Sequence, residues 1–237
     1  MFMRVVFRIY REKNGKKPYF QEYTIEVDPE SSVLDVIEKI ALREDPSLTF
    51  NHACHHGVCG ACGMVINGVE RLACITKVKD VIKNGVVTVE PLKGFKVISD
   101  LYVDLSEMFR KIDVINPVSL IKTKPLVVSD LPEYISTTRV KLDDCIECGI
   151  CYSACPIANS SKGYLGPAAL ALAFKAEKVN DDEKRVKLAD SIYGVWGCHV
   201  AFECSNLCPV GYDPGSIIMR FRKQLLVKTL FSLLGRR

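Results

Sequence analysis

The sequence predicts an α+β protein in which a strand-rich N-terminal domain precedes an all-helical domain. From Arg4 to about Leu92 the sequence is typical of strands around one helix, whereas beyond about residue 100 the strand pattern mostly gives way to helical stretches. The chain has 237 residues, 48% of them hydrophobic, which is enough for two domains with cores of their own. We expect a first domain at residues 1–100, a connecting segment at 101–140 and a second domain at 141–237.

The N-terminal domain is predicted to begin with a β-hairpin. Residues 4–12 and 18–27 are β-rich, and Asn14-Gly15 between them is a strong hairpin signal. Ser31 or Ser32 then caps a helix with an apolar stripe of Val33, Ile37, Ile40 and Ala41. Short strands follow at 64–66, 71–75 and 86–92. A hairpin, a helix and returning strands together indicate a β-grasp domain.

The second part of the chain is predicted to be helical at residues 103–115, 166–178, 181–190 and 214–231. The last helix begins with Asp213 as its N-cap and Pro214 at its first helical position. Residues 116–139 are rich in Pro, Ser and Thr and show no clear period, so we expect an irregular connecting arm there.

Composition excludes several classes of protein. The eleven cysteines are closely grouped and the N-terminus resembles no signal peptide, which favours metal ligation in a reducing compartment over disulfides. A net charge of +4 is too mild to indicate nucleic-acid binding. No stretch reaches the roughly 18 apolar residues that would span a bilayer, so we expect only peripheral membrane contact. FAD and NAD are expected elsewhere, because no glycine-rich nucleotide motif occurs.

The first cysteine group has the spacing C-x4-C-x2-C, with a fourth cysteine on the next hairpin. This is the plant-type pattern for a 2Fe-2S cluster, and the glycines of "CHHGVCGACG" allow backbone N-H groups to point at the cluster sulfurs. Zinc is the alternative, but zinc ribbons usually pair two C-x2-C knuckles. The predicted 2Fe-2S ligands are Cys54, Cys59, Cys62 and Cys74. Because these four cysteines suffice, His55 and His56 are expected beside the cluster or at the surface.

The remaining seven cysteines divide into two further sets. The run "CIECGICYSACP" follows the bacterial pattern C-x2-C-x2-C-x3-C-P, in which the fourth cysteine serves the other cluster of a pair. The second cysteine run should in turn supply one ligand to the cluster of the first run, and Cys208, followed by Pro209, is the candidate. This predicts a 4Fe-4S cluster on Cys145, Cys148, Cys151 and Cys208. It also predicts a 3Fe-4S cluster on Cys155, Cys198 and Cys204, with Ala201 at the corner where a fourth ligand would stand.

Together these motifs resemble the iron-sulfur subunit of succinate dehydrogenase and quinol:fumarate reductase over nearly the whole chain. The resemblance is carried by "CHHGVCGACGMVINGVERLACIT", "VEPLKGFKVISDLYVD", "CIECGICYSACP", "YLGPAALALAF" and "GVWGCHVAFECSNLCP". It implies a plant-type 2Fe-2S ferredoxin domain followed by an all-α bacterial-type ferredoxin domain with two clusters. It also implies that electrons pass between FAD and quinone through the 2Fe-2S, 4Fe-4S and 3Fe-4S clusters.

The resemblance further implies partners and a location. These are a flavoprotein subunit with covalent FAD and the dicarboxylate site, one or more membrane-anchor subunits, and quinone. We expect the chain at the cytoplasmic side of the cell membrane, held by the anchor. The candidate quinone-proximal residues are Pro156, His199 and Arg222. The alternative for His199 is a purely local hydrogen bond, and the alternative for Arg222 is a solvated surface position. The segment "IANSSKGY" after Pro156 lacks the tryptophan of many succinate dehydrogenases.

Two alternatives remain open at this stage. One is the iron-sulfur subunit of a fumarate reductase linked to thiols or to an unusual quinol, although the C-C-G domain of the thiol-linked relatives is not found in this sequence. The other is a free multi-cluster ferredoxin or iron-sulfur sensor, against which the lack of a basic recognition element counts.

Overall fold

The computed structural model describes residues 2–13, 15–115, 145–179 and 182–234. The predicted arm at 116–139 and the turn residue Asn14 therefore lie outside the described residues. Within them, two hydrophobic cores form, one around the N-terminal sheet and one among the C-terminal helices.

A five-stranded mixed sheet forms the N-terminal part. Its strands are β1 (Met3–Arg11), β2 (Tyr19–Val27), β3 (Gly63–Ile66), β4 (Val69–Leu72) and β5 (Val86–Glu90). Their order is β2-β1-β5-β3-β4, with β1 and β5 parallel and every other pair antiparallel. The predicted hairpin is present, and the strand predicted at 71–75 ends at Leu72 because the chain turns there towards Cys74.

Helix α1 (Val33–Arg43) packs on this sheet with Val33, Ile37 and Ile40 fully buried, as predicted. Ser32, rather than Ser31, is its N-cap. The Ser32 hydroxyl accepts from the Asp35 N-H at 3.1 Å, and the Asp35 carboxylate accepts from the Ser32 N-H at 2.9 Å. Such a capping box satisfies two of the amide groups that a helix leaves unpaired at its start. A short helix α2 (Val78–Val81) follows β4.

The helix predicted at 103–115 begins later than expected. Residues 102–104 instead form β7 (Tyr102–Asp104), which pairs with β6 (Lys96–Ser99) in a separate hairpin. Tyr102 and Val103 favour extended backbone, which explains the difference. Helix α3 (Ser106–Ile115) then directs Met108, Ile112 and Ile115 into the second core.

The second core is built from helices. They are α4 (Ile150–Ser153), α5 (Pro156–Ser160), α6 (Pro167–Val179), α7 (Glu183–Ala189), a 3-10 turn (Val195–Gly197), α8 (Glu203–Asn206) and α9 (Pro214–Leu234). Buried residues occur on all sides of α6 from Ala168 to Phe174, which is expected of a helix at the centre of a bundle. The Asp213 carboxylate accepts from the Ser216 N-H at 3.2 Å, so Asp213 caps α9 as predicted.

A polar seam joins the two parts. The buried Ser153 hydroxyl donates to Glu70 at 3.0 Å and accepts from the Lys93 N-H at 2.8 Å. Glu70 is itself buried, and the Lys93 ammonium lies 3.4 Å from its carboxylate. Cys148 and Ile150, although they lie in the second half of the sequence, pack into the first core. This polar contact between the two parts of the chain therefore keeps the first cysteine group close to the second.

Candidate iron-sulfur sites

The first cysteine group lies on the loop between α1 and β3 and on the turn after β4. Cys62 and Cys74 are buried, Cys54 is half-buried and Cys59 is exposed. The Ala73 N-H donates to the Cys62 carbonyl at 3.0 Å, which draws the loop and the turn together. The thiols interact in the pairs Cys54 with Cys59 and Cys62 with Cys74. The structure thus brings together the four cysteines predicted to bind the 2Fe-2S cluster.

The environments of these thiols differ. The His56 N-H donates to the Cys54 sulfur at 3.4 Å, and this bond, with the Cys59 thiol, lowers the pKa of Cys54 to about 6. Burial raises the pKa of Cys62 to about 12. Backbone N-H groups at the rim therefore favour thiolate there, whereas the inner thiol would need a bound cation to ionise at neutral pH.

Gly60 lies where the first cysteine group meets the second. Its φ is +75°, and a Cβ added there would stand 2.7 Å from the Ile146 carbonyl oxygen and 2.8 Å from Cys148 Cβ. Only a residue without a side chain permits this approach. The loop glycine therefore has a second role that its sequence motif did not indicate.

The second cysteine group surrounds a small cavity lined by all four predicted 4Fe-4S ligands: Cys145, Cys148, Cys151 and Cys208. Burial raises the pKa of Cys148 to about 11 and that of Cys151 well above the ordinary value for a thiol. The Tyr212 N-H donates to the Cys208 sulfur at 3.3 Å. Cys208 is thus placed with the earlier run, as the sequence pattern predicts.

The third cysteine group lines a separate small cavity together with Pro156, His199 and Ala201. Its thiols are those of Cys155, Cys198 and Cys204. Burial raises the pKa of Cys204 to about 12, and the neighbouring Cys155 adds to this rise. Ala201 lies in the wall of this cavity, and its side chain offers no ligand atom.

Backbone strain marks the loop of this third group. Val200 and Phe202 have φ values of +61° and +59°, which is costly for a β-branched or bulky side chain. The Val200 N-H points at the Cys198 sulfur at 3.4 Å. The sequence contains no signal for this conformation, because a left-handed residue is normally recognised as glycine or asparagine.

Arg222 of α9 supports the same loop. Its guanidinium donates from Nε to the Val195 carbonyl at 2.7 Å and from Nη2 to the Cys198 carbonyl, and it lies over the Trp196 ring. Arg222 is therefore half-buried and engaged with the backbone rather than simply solvated. Of the three residues predicted to be near quinone, Pro156 and His199 line the third cavity and Arg222 holds the loop beside it.

Both cavities suit a group that offers hydrogen-bond acceptors. Tyr164 and Tyr212 line one cavity each, and their buried hydroxyls have no nitrogen or oxygen partner in the described part of the chain. A buried hydroxyl without a partner costs about 1–3 kcal/mol, and the sulfur of a cluster can accept from it. Sequence reasoning missed these residues; the only local signal is that Tyr212 closely follows the Cys208-Pro209 motif.

Comparison with known proteins agrees with this geometry. Residues 5–110 match a family described as a 2Fe-2S iron-sulfur cluster binding domain, and residues 141–212 match a 4Fe-4S dicluster domain. The predicted fold class and the 2Fe-2S and 4Fe-4S cofactors are thereby confirmed. A 3Fe-4S cluster is consistent with the relatives.

Proteins similar to this chain include fumarate reductase and succinate dehydrogenase subunits. The fumarate reductase iron-sulfur subunit of Mycobacterium tuberculosis (strain CDC 1551 / Oshkosh) is 36% identical over 99% of this chain and 98% of its own length. The mitochondrial succinate dehydrogenase [ubiquinone] iron-sulfur subunit of Dictyostelium discoideum is 33% identical over 92% of this chain and 81% of its own length.

A solved structure shares the fold. A chain of the Mycobacterium smegmatis Sdh1 complex in the apo form superposes with a TM-score of 0.85 at 24% identity, covering 96% of this chain and 98% of that one. The near-complete coverage of the sequence relatives decides the family. The chain belongs to the iron-sulfur subunits of the succinate dehydrogenase and fumarate reductase oxidoreductases.

Proposed function

We propose that this chain carries electrons between the FAD of a flavoprotein subunit and a quinone held near membrane-anchor subunits. The observation that carries the proposal is the spatial order of the three cysteine groups. Gly60 of the first group abuts Cys148 of the second, and Cys204 of the third is among the electrostatic neighbours of Cys151. The second group thus lies between the other two, as a series requires.

Iron-sulfur clusters, when bound, supply one-electron transfer with little movement of the protein. The chain's own residues hold the thiol ligands, exclude water and aim hydrogen-bond donors at the sites. We propose the ligand sets in the order predicted, namely Cys54, Cys59, Cys62 and Cys74; Cys145, Cys148, Cys151 and Cys208; and Cys155, Cys198 and Cys204. The division into residues 1–100, 101–140 and 141–237 is likewise a proposal.

The proposed anchor surface is the end of the C-terminal helix. The side chains of Ile217, Ile218, Phe221 and Leu225 are buried in the second core, as the sequence stripe predicts. Further along α9, the large apolar side chains Leu226, Val227, Leu230, Phe231 and Leu234 are exposed. Arg222 links this helix to the loop of the third group. An exposed apolar surface beside the third cysteine group suits contact with a hydrophobic anchor subunit and a quinone.

The proposed flavoprotein surface lies at the other end. Val58 and Ile75 are both more than half exposed, at 66% and 53%, and they flank the exposed Cys59 and the turn that carries Cys74. Exposed apolar side chains around the first cysteine group suit docking of a partner that delivers electrons there. The proposed flavoprotein surface thus lies beside the first cysteine group and the proposed anchor surface beside the third.

Location follows from the partners. No helix among the described residues has both the length and the apolar character needed to cross a bilayer. We propose that anchor subunits hold the chain at the cytoplasmic side of the membrane, where the exposed Arg220 and Lys223 of α9 could face anionic lipid.

Purification under mild detergent tests this function. We expect a tagged chain to co-purify with a large protein that carries covalent flavin and with small membrane proteins, and the complex to couple oxidation of succinate to reduction of quinone, or the reverse with fumarate. Recovery of the cluster-loaded chain alone, without flavin, would contradict the proposal and favour a free ferredoxin.

A further inference from the structure

Three side chains outside the cysteine groups converge beside the first cluster loop. Glu38 comes from α1, and His52 and His55 come from the loop itself. His52 Nδ1 and His55 Nε2 lie 3.1 Å and 3.2 Å from the same Glu38 oxygen, Oε1, and 3.3 Å from each other. We propose that Glu38, His52 and His55 form a site for a zinc-like divalent transition-metal ion, and that its occupancy tunes the first cluster.

Hydrogen bonds can use at most two of the three contacts in this triangle. Each ring nitrogen either donates or accepts, and a carboxylate oxygen accepts only. With two roles shared among three mutually close atoms, at least one pair has the same role and forms no hydrogen bond. If both histidines donate to Glu38, their own 3.3 Å contact joins two donors. A cation at the centre would instead use all three atoms as ligands.

The dimensions are those of a tetrahedral site. Zinc bonds of 2.0–2.1 Å to histidine nitrogen place neighbouring ligands of a tetrahedron about 3.3–3.4 Å apart. The three observed separations, 3.1, 3.2 and 3.3 Å, describe one face of such a tetrahedron. Two imidazoles and one carboxylate favour zinc or a similar ion over magnesium or calcium, which prefer oxygen ligands throughout.

The protein holds two of the ligands in position. The His52 ring stacks on Phe50 with centroids 5.1 Å apart and an angle of 24°. His55 has a φ of +59°, an uncommon conformation that turns its ring back towards Glu38. Both rings remain more than a third exposed, so the fourth position is open to solvent and the ion can enter and leave. Such a site is suited to reversible occupancy.

The position gives the ion an effect on electron transfer. His55 directly follows Cys54, a proposed ligand of the first cluster. A divalent charge there stabilises the more negative, reduced state and therefore raises the reduction potential of that cluster. This tuning rests on the proposed role of the first cysteine group, whereas metal binding by the triangle does not.

The experiment uses the cluster-loaded complex after brief treatment with a chelator. Zn²⁺ is titrated against a chromophoric competitor, and the reduction potential of the first cluster is followed by EPR with and without Zn²⁺. We expect one site per chain and a rise in potential. His52→Gln and Glu38→Gln should each weaken binding by more than roughly ten-fold, since even outer partners of a metal ligand contribute that much. His56→Gln, an exposed histidine outside the triangle, should bind as the wild type does.

Zinc-edge X-ray absorption identifies the ligands independently of redox behaviour. We expect nitrogen and oxygen neighbours at about 2.0–2.2 Å and no sulfur. Sulfur among the zinc neighbours would mean that zinc had entered a cysteine site. Equal zinc binding by the wild type and both triangle variants would mean that the triangle is not the site. Either result overturns the proposal. Binding with an unchanged potential would overturn the tuning. Equal iron and sulfide content in all variants verifies that they fold. Zinc binding by the triangle can be measured on the chain with or without its partners, so its failure is distinguishable from failure of the proposed function.

Discussion

The contact at Gly60 is predicted to limit how closely the first two cysteine groups can approach. In Gly60→Ala, the new Cβ would stand 2.7 Å from the Ile146 carbonyl oxygen, whereas ordinary contact begins at 3.4 Å. The loops must therefore separate by about 0.7 Å, or strain must be absorbed in both. We expect slower electron transfer between the groups and a less stable seam.

The size of the effect can be estimated. A side chain at positive φ costs about 1–2 kcal/mol, and overpacking adds about 1–3 kcal/mol, for a total of about 2–5 kcal/mol. Gly85→Ala is the matched control, because Gly85 also has a positive φ, +80°, but no described atom lies within 4 Å of the added Cβ. The difference between the two variants isolates the clash.

The assay is the midpoint temperature at which visible cluster absorbance is lost, measured at one heating rate. For a chain of this length, 1–3 kcal/mol corresponds to a midpoint about 2–12 °C lower for Gly60→Ala than for Gly85→Ala. The magnetic interaction between the first two clusters, read from EPR relaxation, should also weaken only in Gly60→Ala. Equal midpoints and equal relaxation in the two variants would refute the close contact.

Three further changes probe the seam and the two cavities. Ser153→Ala removes the buried hydroxyl that donates to Glu70, and it should cost about 1–3 kcal/mol, seen as a lower midpoint of cluster loss. Tyr212→Phe removes the buried, unpartnered hydroxyl of a residue that lines the second cavity, so the reduction potential of the second cluster should fall in an EPR redox titration. Arg222→Ala frees the Cys198 carbonyl, so the third site should lose iron faster, as measured by iron content over time.

Each of these variants has a control on the surface. Ser160→Ala, Tyr193→Phe and Arg220→Ala make the same chemical change at exposed positions and should leave the midpoint, the potential and the iron content unchanged. If Ser153→Ala and Ser160→Ala lose their clusters at the same midpoint temperature, the contact between the two parts of the chain does not depend on the Ser153 hydroxyl. An unchanged potential in Tyr212→Phe would mean that the hydroxyl does not face a sulfur, and normal iron retention in Arg222→Ala would mean that the loop holds its shape unaided.

Features encoded by neighbouring residues could be predicted from the sequence. The alternation in β1 and β2, the Ser32 cap and the Asp213-Pro214 start of α9 are local, and the structure has each of them. The cysteine runs are equally local, because three ligands of a cluster come from one short segment. The position of Cys208 beside the cavity of the earlier cysteine run was also predictable, because Cys208-Pro209 repeats the end of the ferredoxin pattern.

Features that depend on distant parts of the chain could not be predicted. The Ser153–Glu70 bond joins residues 83 positions apart, and the Gly60–Cys148 approach joins two separate motifs. The helix predicted at 103–115 overlaps β7 (Tyr102–Asp104), because a strand of three residues is too short to show a period of its own. The triangle of Glu38, His52 and His55 depends on how α1 packs beside the loop, which periodicity does not reveal.

The central claim is that three thiols and Ala201 surround the third site, so that one iron corner is left open at the end of the series. Low-temperature EPR of the oxidised, cluster-loaded complex tests this most directly, because an oxidised three-iron cluster is paramagnetic whereas oxidised 2Fe-2S and 4Fe-4S clusters are silent. We predict a signal from one three-iron cluster per chain that disappears on reduction. An oxidised complex that retains all its iron and shows no such signal would contradict the account.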